Sequence, residues 1–258
     1  MIEKVMEIAK QAGKFLKDNE GKISEIKEKG SFTNLVTNID KGSEAIITSY
    51  IKKNFPDHAI LAEESGATSN SSEYKWIIDP LDGTTNFTHA FPVYCVSIAV
   101  EHKGEVVAGA VYDPNFDELF SAEKGQGAYL NGKRLKVTST VGLEKSMLAT
   151  GFPYDVRENP FNCIQHFEEF LVKAQAVRRL GSAALDICYV ASGRLDGFWE
   201  VNLHPWDTAA AVLITTEAGG KVTGFNGGRY SVYQKDIVLS NGIIHDEMLG
   251  VIGRNIKG

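Results

Sequence analysis

The sequence predicts a layered α/β or α+β protein, because helical and strand patterns alternate along its 258 residues. Apolar residues recur at helical spacing over 2–19 and over 41–54, and Pro56 lies just beyond the second stretch. Short apolar strands follow without intervening helices, which favours a partly antiparallel sheet. From residue 147 onwards strands and helices alternate, which favours a mixed sheet flanked by helices.

The later elements follow from the same two periodicities. Strands are predicted at 59–62, 76–78, 93–100, 105–112, 118–122, 147–150, 177–180, 197–201 and 237–240, with a hairpin at 125–136. Helices are predicted at 160–174, 182–192, 206–218 and from about 241. A soft boundary at 139–145 divides residues 1–140 from 141–258, and we expect the halves to pack as one compact unit. Ser65–Ser72 is expected to be a mobile loop.

Composition limits the classes of function. The net charge is −6 and the basic residues are scattered, so no direct nucleic-acid partner is expected. No stretch has the length and apolar character of a signal peptide or a membrane span, so no membrane partner is expected. Cys95, Cys163 and Cys188 lack metal-ligand spacing and sit among apolar neighbours, which indicates small buried side chains. We therefore expect a cytoplasmic protein.

The segment Asp79-Pro80-Leu81-Asp82-Gly83-Thr84-Thr85-Asn86-Phe87 is the most informative about function. Two carboxylates lie three residues apart after an apolar strand, and a glycine and a hydroxyl follow. Such a segment can be a simple turn, because Asp-Pro and Asp-Gly are common turn pairs. It also has the ligands for divalent cations and a corner where a phosphate can approach the backbone.

Acidic residues recur at three other element boundaries. Asp40 starts the second helix, Glu63-Glu64 end a strand, and Asp207 lies in the first turn of a later helix. Asp40 and Asp207 can simply favour the positive end of a helix, and the glutamates can be a solvated pair. Several like charges are hard to gather without a cation, however, so the combination predicts a Mg²⁺ site.

The segment Asp79–Phe87 resembles the signature of the inositol monophosphatase family, whose members are metal-dependent, lithium-sensitive phosphatases. The resemblance includes Glu63-Glu64 and Trp206-Asp207-Thr208-Ala209-Ala210, and it runs from Lys29 to Glu217-Ala218-Gly219-Gly220. It implies the αβαβα sandwich of the inositol monophosphatase and fructose-1,6-bisphosphatase fold. It also implies a homodimer.

The resemblance implies two or three Mg²⁺ ions. Glu63, Asp79 and the Leu81 carbonyl would hold the first ion, and Asp79, Asp82 and Asp207 the second. A third, looser ion would reach Glu63 through water. Glu63 and Thr84 would orient the attacking water. Lys29, Asp40 and Glu64 are candidates for residues behind the ligands.

The substrate side follows from the same resemblance. The backbone N–H groups of Gly83 and Thr84 would point at the phosphate from a helix N-terminus. The alcohol half would contact residues assigned to it by the family pattern, which are Asp82, Gly181, Ser182, Ala183 and Glu200. For Glu200 an exposed strand-end acid is the alternative, Asp186 is expected to be a structural helix residue, and Arg178 a structural or subunit contact.

We therefore expect Mg²⁺-dependent hydrolysis of a small polyol or sugar monophosphate, with myo-inositol 1-phosphate as the first candidate. Fructose-1,6-bisphosphate, 3′-phosphoadenosine 5′-phosphate and histidinol phosphate are alternative substrates. A glycosidase with paired carboxylates is another enzyme class. A non-enzymatic regulatory role, as some bacterial family members are thought to have with the transcription machinery, is a third possibility.

Overall fold

The computed structural model describes residues 1–30, 34–68, 70 and 72–253. Its helices are α1 (Ile2–Asp18), α2 (Asn38–Asn54), α3 (Thr84–Thr88), α4 (Cys163–Lys173), α5 (Ala183–Ala191), α6 (Pro205–Glu217) and α7 (His245–Ile252). Its strands are β1 (Ile26–Glu28), β2 (Leu35–Thr37), β3 (Ala59–Ala62), β4 (Gly66–Ala67), β5 (Tyr74–Asp82), β6 (Cys95–His102), β7 (Glu105–Asp113), β8 (Glu118–Glu123), β9 (Gly127–Leu130), β10 (Lys133–Arg134), β11 (Met147–Thr150), β12 (Ala176–Arg178), β13 (Gly197–Val201), β14 (Lys221–Thr223) and β15 (Asp236–Ser240).

Two large sheets organise these elements. The first has eight strands in the order β10-β9-β8-β7-β6-β5-β3-β4, and all its pairs are antiparallel except β3 with β5. The second has the order β12-β11-β13-β15-β14, with parallel pairs on the β12 side and antiparallel pairs on the β14 side. The predicted change from a partly antiparallel to a mixed sheet is therefore confirmed.

Alternate side chains of the strands enter different hydrophobic clusters, which shows that both faces of each sheet are covered. In β5, Trp76 and Ile78 join α1 and α2, whereas Ile77 joins α5 and α6. In β13, Phe198 faces the same α5 and α6 cluster, whereas Trp199 packs with α4 and α7. The layers are therefore helix, sheet, helix, sheet, helix, and the expected αβαβα sandwich is confirmed.

The central layer determines where the two halves of the chain meet. Helices α5 and α6 contact each other, α6 also contacts β5 to β8, and α5 contacts β11 and β13. Their cluster contains side chains from both halves, such as Ile77 and Ala149. The division at residues 1–140 and 141–258 stays a prediction. None of the helices in the described part of the chain has the length and apolar character that a membrane span requires.

Most predicted elements occur within a few residues of their expected bounds, and the differences have local causes. Helix α7 begins at His245 rather than near 241, because Asn241 Oδ1 accepts hydrogen bonds from the N–H groups of Ile243 and Ile244 in a turn before the helix. Part of the expected Ser65–Ser72 loop is strand β4, which pairs with β3. Ser69 and Ser71 of that loop lie outside the described residues. All three cysteines are buried and free, as predicted.

Candidate active site

A β-bulge brings Asp79 and Asp82 to the same face of the first sheet. Asp79 lies opposite Ser97 and Asp82 lies opposite Cys95, so three steps along β5 match two steps along β6. Residues three apart in a regular strand point to opposite faces, and one extra residue reverses this. Since Ser97 and Cys95 share a face, their partners Asp79 and Asp82 share it too. The bulge therefore allows both carboxylates to act at one site.

Asp82 is anchored by the N-terminus of α5. Its Oδ2 atom accepts hydrogen bonds from Ser182 Oγ at 2.7 Å and from the Ala184 N–H at 2.8 Å. The Cys95 thiol lies 3.8 Å from the same oxygen. Ser182 was expected to contact substrate, and the structure shows that its hydroxyl contacts Asp82. The central helix layer therefore fixes the orientation of a carboxylate that belongs to the first sheet.

The Thr84 hydroxyl lies between two acceptors. It is 2.9 Å from Asp40 Oδ1 and 3.1 Å from the Leu81 carbonyl oxygen. Asp40 is buried, and its other oxygen accepts the Thr37 N–H at 2.8 Å in the capping box that begins α2. Gly83, which precedes α3, has φ +97°, and a Cβ there would lie 2.8 Å from the Val93 carbonyl oxygen. This corner therefore requires glycine.

Glu63 and Glu64 share one cation. Lys29 Nζ lies 2.9 Å from Glu63 Oε1 and 2.5 Å from Glu64 Oε1. The Glu64 N–H donates to Glu44 Oε2 at 2.8 Å, which fixes the backbone after β3. The two glutamates are therefore ion-paired within the site rather than a solvated loop pair.

Asp207 combines a helix cap with a place in the cavity wall. Its Oδ2 atom accepts the His204 N–H at 2.6 Å, which closes the capping box at the start of α6. Asp207 also lines two adjoining cavities of about 550 and 390 Å³, together with Glu63 and Asp82. The helix-end interpretation of Asp207 is therefore compatible with a functional one.

The predicted site residues divide between these two cavities. The smaller one is lined by the residues expected near the phosphate and the metal, which include Asp79, Leu81, Gly83 and Thr84. The larger one is lined by Lys29, Ser182, Ala183 and Glu200, and Gly181 lines both. Asp40 and Glu64 lie behind the walls, in contact with Thr84 and Lys29. The chain therefore brings all the predicted residues into one region.

Burial and mutual repulsion dominate the electrostatics of this region. Burial raises the pKa of Asp79 well above its usual range, and the negative charges of Glu63, Asp82 and Asp207 raise it further. Burial also raises the pKa values of Glu63 and Asp207, although Lys29 opposes the effect at Glu63. The four clustered carboxylates outnumber the cationic side chains in the cavity walls, which are Lys29, Arg179 and Lys235, and a bound divalent cation would offset the remaining negative charge.

The donor set fits a hard divalent cation, since it consists of carboxylate and carbonyl oxygens. In the described part of the chain, no three His, Cys, Asp or Glu side chains are already arranged to hold a metal ion. Glu63 instead pairs with Lys29, and one oxygen of Asp82 is held by α5. Cation binding at these residues would therefore compete with the Lys29 ion pair.

Several cavity residues were not assigned to the site from the sequence. Arg179 lines both cavities, whereas the prediction of a structural or subunit contact concerned only its neighbour Arg178. Gly151 lines the larger cavity, and a Cβ there would overlap the Glu200 carboxyl group. Asp186, expected to be structural, also lines the larger cavity. The two adjacent arginines were the only sequence signal among these residues.

Comparison with known proteins identifies the family. Residues 1–256 match the inositol monophosphatase family. The chain is 46% identical over 229 residues to an inositol-1-monophosphatase of Synechocystis, covering 88% of this chain and 80% of that protein. It is 42% identical over 252 residues to the Nus factor SuhB of Escherichia coli, covering 96% of this chain and 94% of that protein.

A solved structure of inositol monophosphatase from Anabaena superposes with a TM-score of 0.89. The Anabaena protein is 42% identical to this chain, and the superposed region covers 98% of this chain and 95% of the Anabaena chain. The shared fold, the acidic site between its layers and the family match lead to one conclusion: the chain belongs to the inositol monophosphatase family of metal-dependent phosphatases.

Proposed function

We propose that this protein hydrolyses a small polyol or sugar monophosphate with Mg²⁺, and that myo-inositol 1-phosphate is its first candidate substrate. The observation that carries the proposal is the group of four carboxylates around cavities of about 550 and 390 Å³, of which Asp79 is buried and Glu63, Asp82 and Asp207 are half-buried in the cavity walls. The name of the Synechocystis relative, inositol-1-monophosphatase, supports the choice of substrate.

Two or three Mg²⁺ ions would be held by the predicted oxygen ligands. Glu63, Asp79 and the Leu81 carbonyl would hold one ion, Asp79, Asp82 and Asp207 a second, and Glu63 a third through water. When bound, such ions lower the pKa of a coordinated water and stabilise the leaving alkoxide. Asp79 would contribute to both positions, and its burial near three other acids supports that role.

The chain's own groups would orient the attacking water. With its proton donated to Asp40 Oδ1, the Thr84 oxygen has lone pairs free to accept a hydrogen bond from that water. Glu63, in the same cavity wall, would accept a second hydrogen bond from it. The water oxygen would bond to phosphorus as the ester P–O bond breaks, and the alkoxide would leave on the opposite side. The proton that the water loses would pass through solvent to that alkoxide, which gives the free alcohol.

The larger cavity would take the alcohol half of the substrate. Its wall contains Glu200 and the segment Gly181-Ser182-Ala183 at the start of α5. Burial raises the pKa of Glu200 to about 8, and the positive charge of Arg179 opposes this shift. A carboxyl group in this environment can exchange hydrogen bonds with the hydroxyl groups of a polyol.

The decisive experiment is phosphate release from a panel of esters, measured with Mg²⁺ and with excess EDTA. The panel contains myo-inositol 1-phosphate, fructose-1,6-bisphosphate, 3′-phosphoadenosine 5′-phosphate and histidinol phosphate. We expect the inositol ester to have the highest kcat/KM and EDTA to abolish turnover. Activity on a glycoside that persists in EDTA would instead support the glycosidase alternative.

Asp207→Asn tests the second metal position. We expect a folded variant whose turnover falls by at least roughly a hundredfold and whose half-saturating Mg²⁺ concentration rises. Glu217→Gln, in the last turn of the same helix and outside both cavities, is the matched control. Turnover of Asp207→Asn close to that of the parent protein would remove Asp207 from the metal site.

A regulatory role is the second candidate, because the Escherichia coli relative that shares 42% identity is named Nus factor SuhB. A variant without turnover that fully restores growth to a strain lacking this gene would favour that role. We also propose lithium inhibition, a cytoplasmic location and a homodimer. Light scattering tests the dimer, and its support is the exposure of Leu171 and Val172 on α4.

A further inference from the structure

Asp186 is a buried carboxyl group whose place in the interior of the protein has no structural explanation. It lies on α5 with 1% of its surface exposed, and its Oδ1 atom has no hydrogen-bond partner. A buried polar group without a partner costs about 1–3 kcal/mol of stability, so such a group is rarely retained for structure alone. The same residue contributes to the wall of the larger cavity. Asp186 therefore lies where a bound molecule could supply the missing partner.

The neighbours of Asp186 define the chemistry of that wall. Burial raises the pKa of Asp186 well above its usual range, the charge of Glu200 raises it further, and Arg179 opposes the shift. Glu200 is also buried, and no hydrogen bond between its carboxyl group and another described residue is observed. Asp186 and its two neighbours are thus two buried carboxyl groups and one guanidinium, and the acids have unused hydrogen-bonding capacity.

A polyol suits these groups better than a cation or an anion does. Arg179 disfavours a cation at this wall, and the two acids disfavour a second phosphate or a carboxylate. A hydroxyl group is neutral and can both donate and accept, so it can satisfy a carboxyl group in either protonation state. Adjacent hydroxyls on one ring could engage both acids at once.

We propose that Asp186 is a specificity-determining residue that, together with Glu200, recognises hydroxyl groups on the alcohol half of the substrate. This inference rests on the proposed phosphatase function and names a further residue for it. Asp186 takes no part in the metal site or in the orientation of water. Its loss therefore affects substrates with several hydroxyl groups and spares those with none.

The test compares two esters on one enzyme preparation. The kcat/KM values for myo-inositol 1-phosphate and for p-nitrophenyl phosphate, which has no hydroxyl group, are measured with saturating Mg²⁺. Their ratio is independent of the fraction of enzyme that is folded. We expect Asp186→Asn to lower this ratio roughly tenfold or more, because the site loses a matched hydrogen-bonding group for the polyol.

Asp196→Asn is the matched control, because Asp196 is a buried aspartate with partners outside the cavities. Its oxygens accept from Thr138 Oγ1 at 2.6 Å and from the Met147 N–H at 2.7 Å. We expect this variant to lower Tm and leave the substrate ratio unchanged. Asp186→Asn loses no protein hydrogen bond, so its Tm should stay within about 2 °C of the parent value.

The outcomes separate the inference from the function on which it rests. A ratio within twofold of the parent value, or an equal fall for both esters, would overturn the role of Asp186. Parent enzyme that cleaves p-nitrophenyl phosphate but no polyol phosphate would overturn polyol recognition and leave the phosphatase chemistry standing. Parent enzyme that cleaves neither ester with Mg²⁺ would overturn the proposed function, and the inference with it.

Discussion

Ser182→Ala is the most informative change at the edge of the site, because it removes one hydroxyl that holds Asp82. The Ser182 Oγ donates to Asp82 Oδ2 at 2.7 Å. Ser182 Oγ also accepts the Leu185 N–H at 3.4 Å and so caps α5. After the change, Asp82 Oδ2 keeps the Ala184 N–H at 2.8 Å. The carboxylate would therefore remain in place with less restricted rotation.

The magnitude follows from these two contacts. A hydrogen bond to a charged carboxylate contributes about 1.5–3 kcal/mol. A capping hydrogen bond as long as 3.4 Å contributes near the low end of the range of about 0.5–2 kcal/mol for helix caps. We therefore expect a loss of about 2–3 kcal/mol in the free energy of unfolding. Loss of a residue that orients a metal ligand weakens metal affinity by roughly 10- to 100-fold.

The assay is phosphate release as a function of Mg²⁺ concentration, combined with urea unfolding in EDTA. We expect Ser182→Ala to require roughly 10- to 100-fold more Mg²⁺ for half-saturation. Ser182→Thr keeps the hydroxyl and should restore most of the difference. An unchanged Mg²⁺ requirement in Ser182→Ala would show that the hydroxyl does not orient a metal ligand.

Three further changes probe other parts of the structure. His245 is buried with its pKa lowered to about 4, so its neutral form stabilises the fold above pH 6.5 and that stability is lost as the pH falls towards 4. Between pH 7.5 and 5, the unfolding free energy of the parent protein in urea should fall by about 2 kcal/mol more than that of His245→Asn, and equal losses would refute this. Glu217→Ala removes an acceptor for two backbone N–H groups in the β8–β9 turn, at 2.7 and 2.8 Å, and should lower the unfolding free energy by about 1–3 kcal/mol; an unchanged urea midpoint would argue against it. Gly151→Ala should displace Glu200 and lower kcat/KM for the polyol ester roughly tenfold, with p-nitrophenyl phosphate cleavage as the control.

The start of α2 shows why an apolar pattern locates a helix but not its first residue. The apolar stripe predicts a helix from residue 41, whereas the helix begins at Asn38. Its start is set by the reciprocal hydrogen bonds of Thr37 and Asp40, which are polar and leave no trace in the apolar period. The sequence allows Asp40 to be either a helix cap or an active-site residue, and the structure shows both contacts. Its Oδ2 atom accepts the Thr37 N–H of the cap, and its Oδ1 atom accepts the Thr84 hydroxyl at the site.

The acids of the site could be named from the sequence, but their arrangement could not. Spacing alone puts Asp79 and Asp82 on opposite faces of a strand, and the bulge that unites them depends on the register with β6. The direction in which Asp186 faces depends similarly on how α5 packs between the two sheets. A helical pattern places such a residue on a helix, and only tertiary packing decides whether its side chain reaches a cavity.

The anchor of Asp82 also has a consequence for protein synthesis. Ser182 follows Asp82 by 100 residues, so roughly 5–20 s of translation separate the carboxylate from the hydroxyl that holds it. During that interval the nascent chain carries Glu63, Asp79 and Asp82 without α5 or α6 above them. Hydrated carboxylates repel one another only weakly, and the repulsion grows when the central helices dock and exclude water. For the cation that we propose at these acids, we therefore expect docking of the second half, rather than collapse of the first, to be the step of folding at which its supply matters.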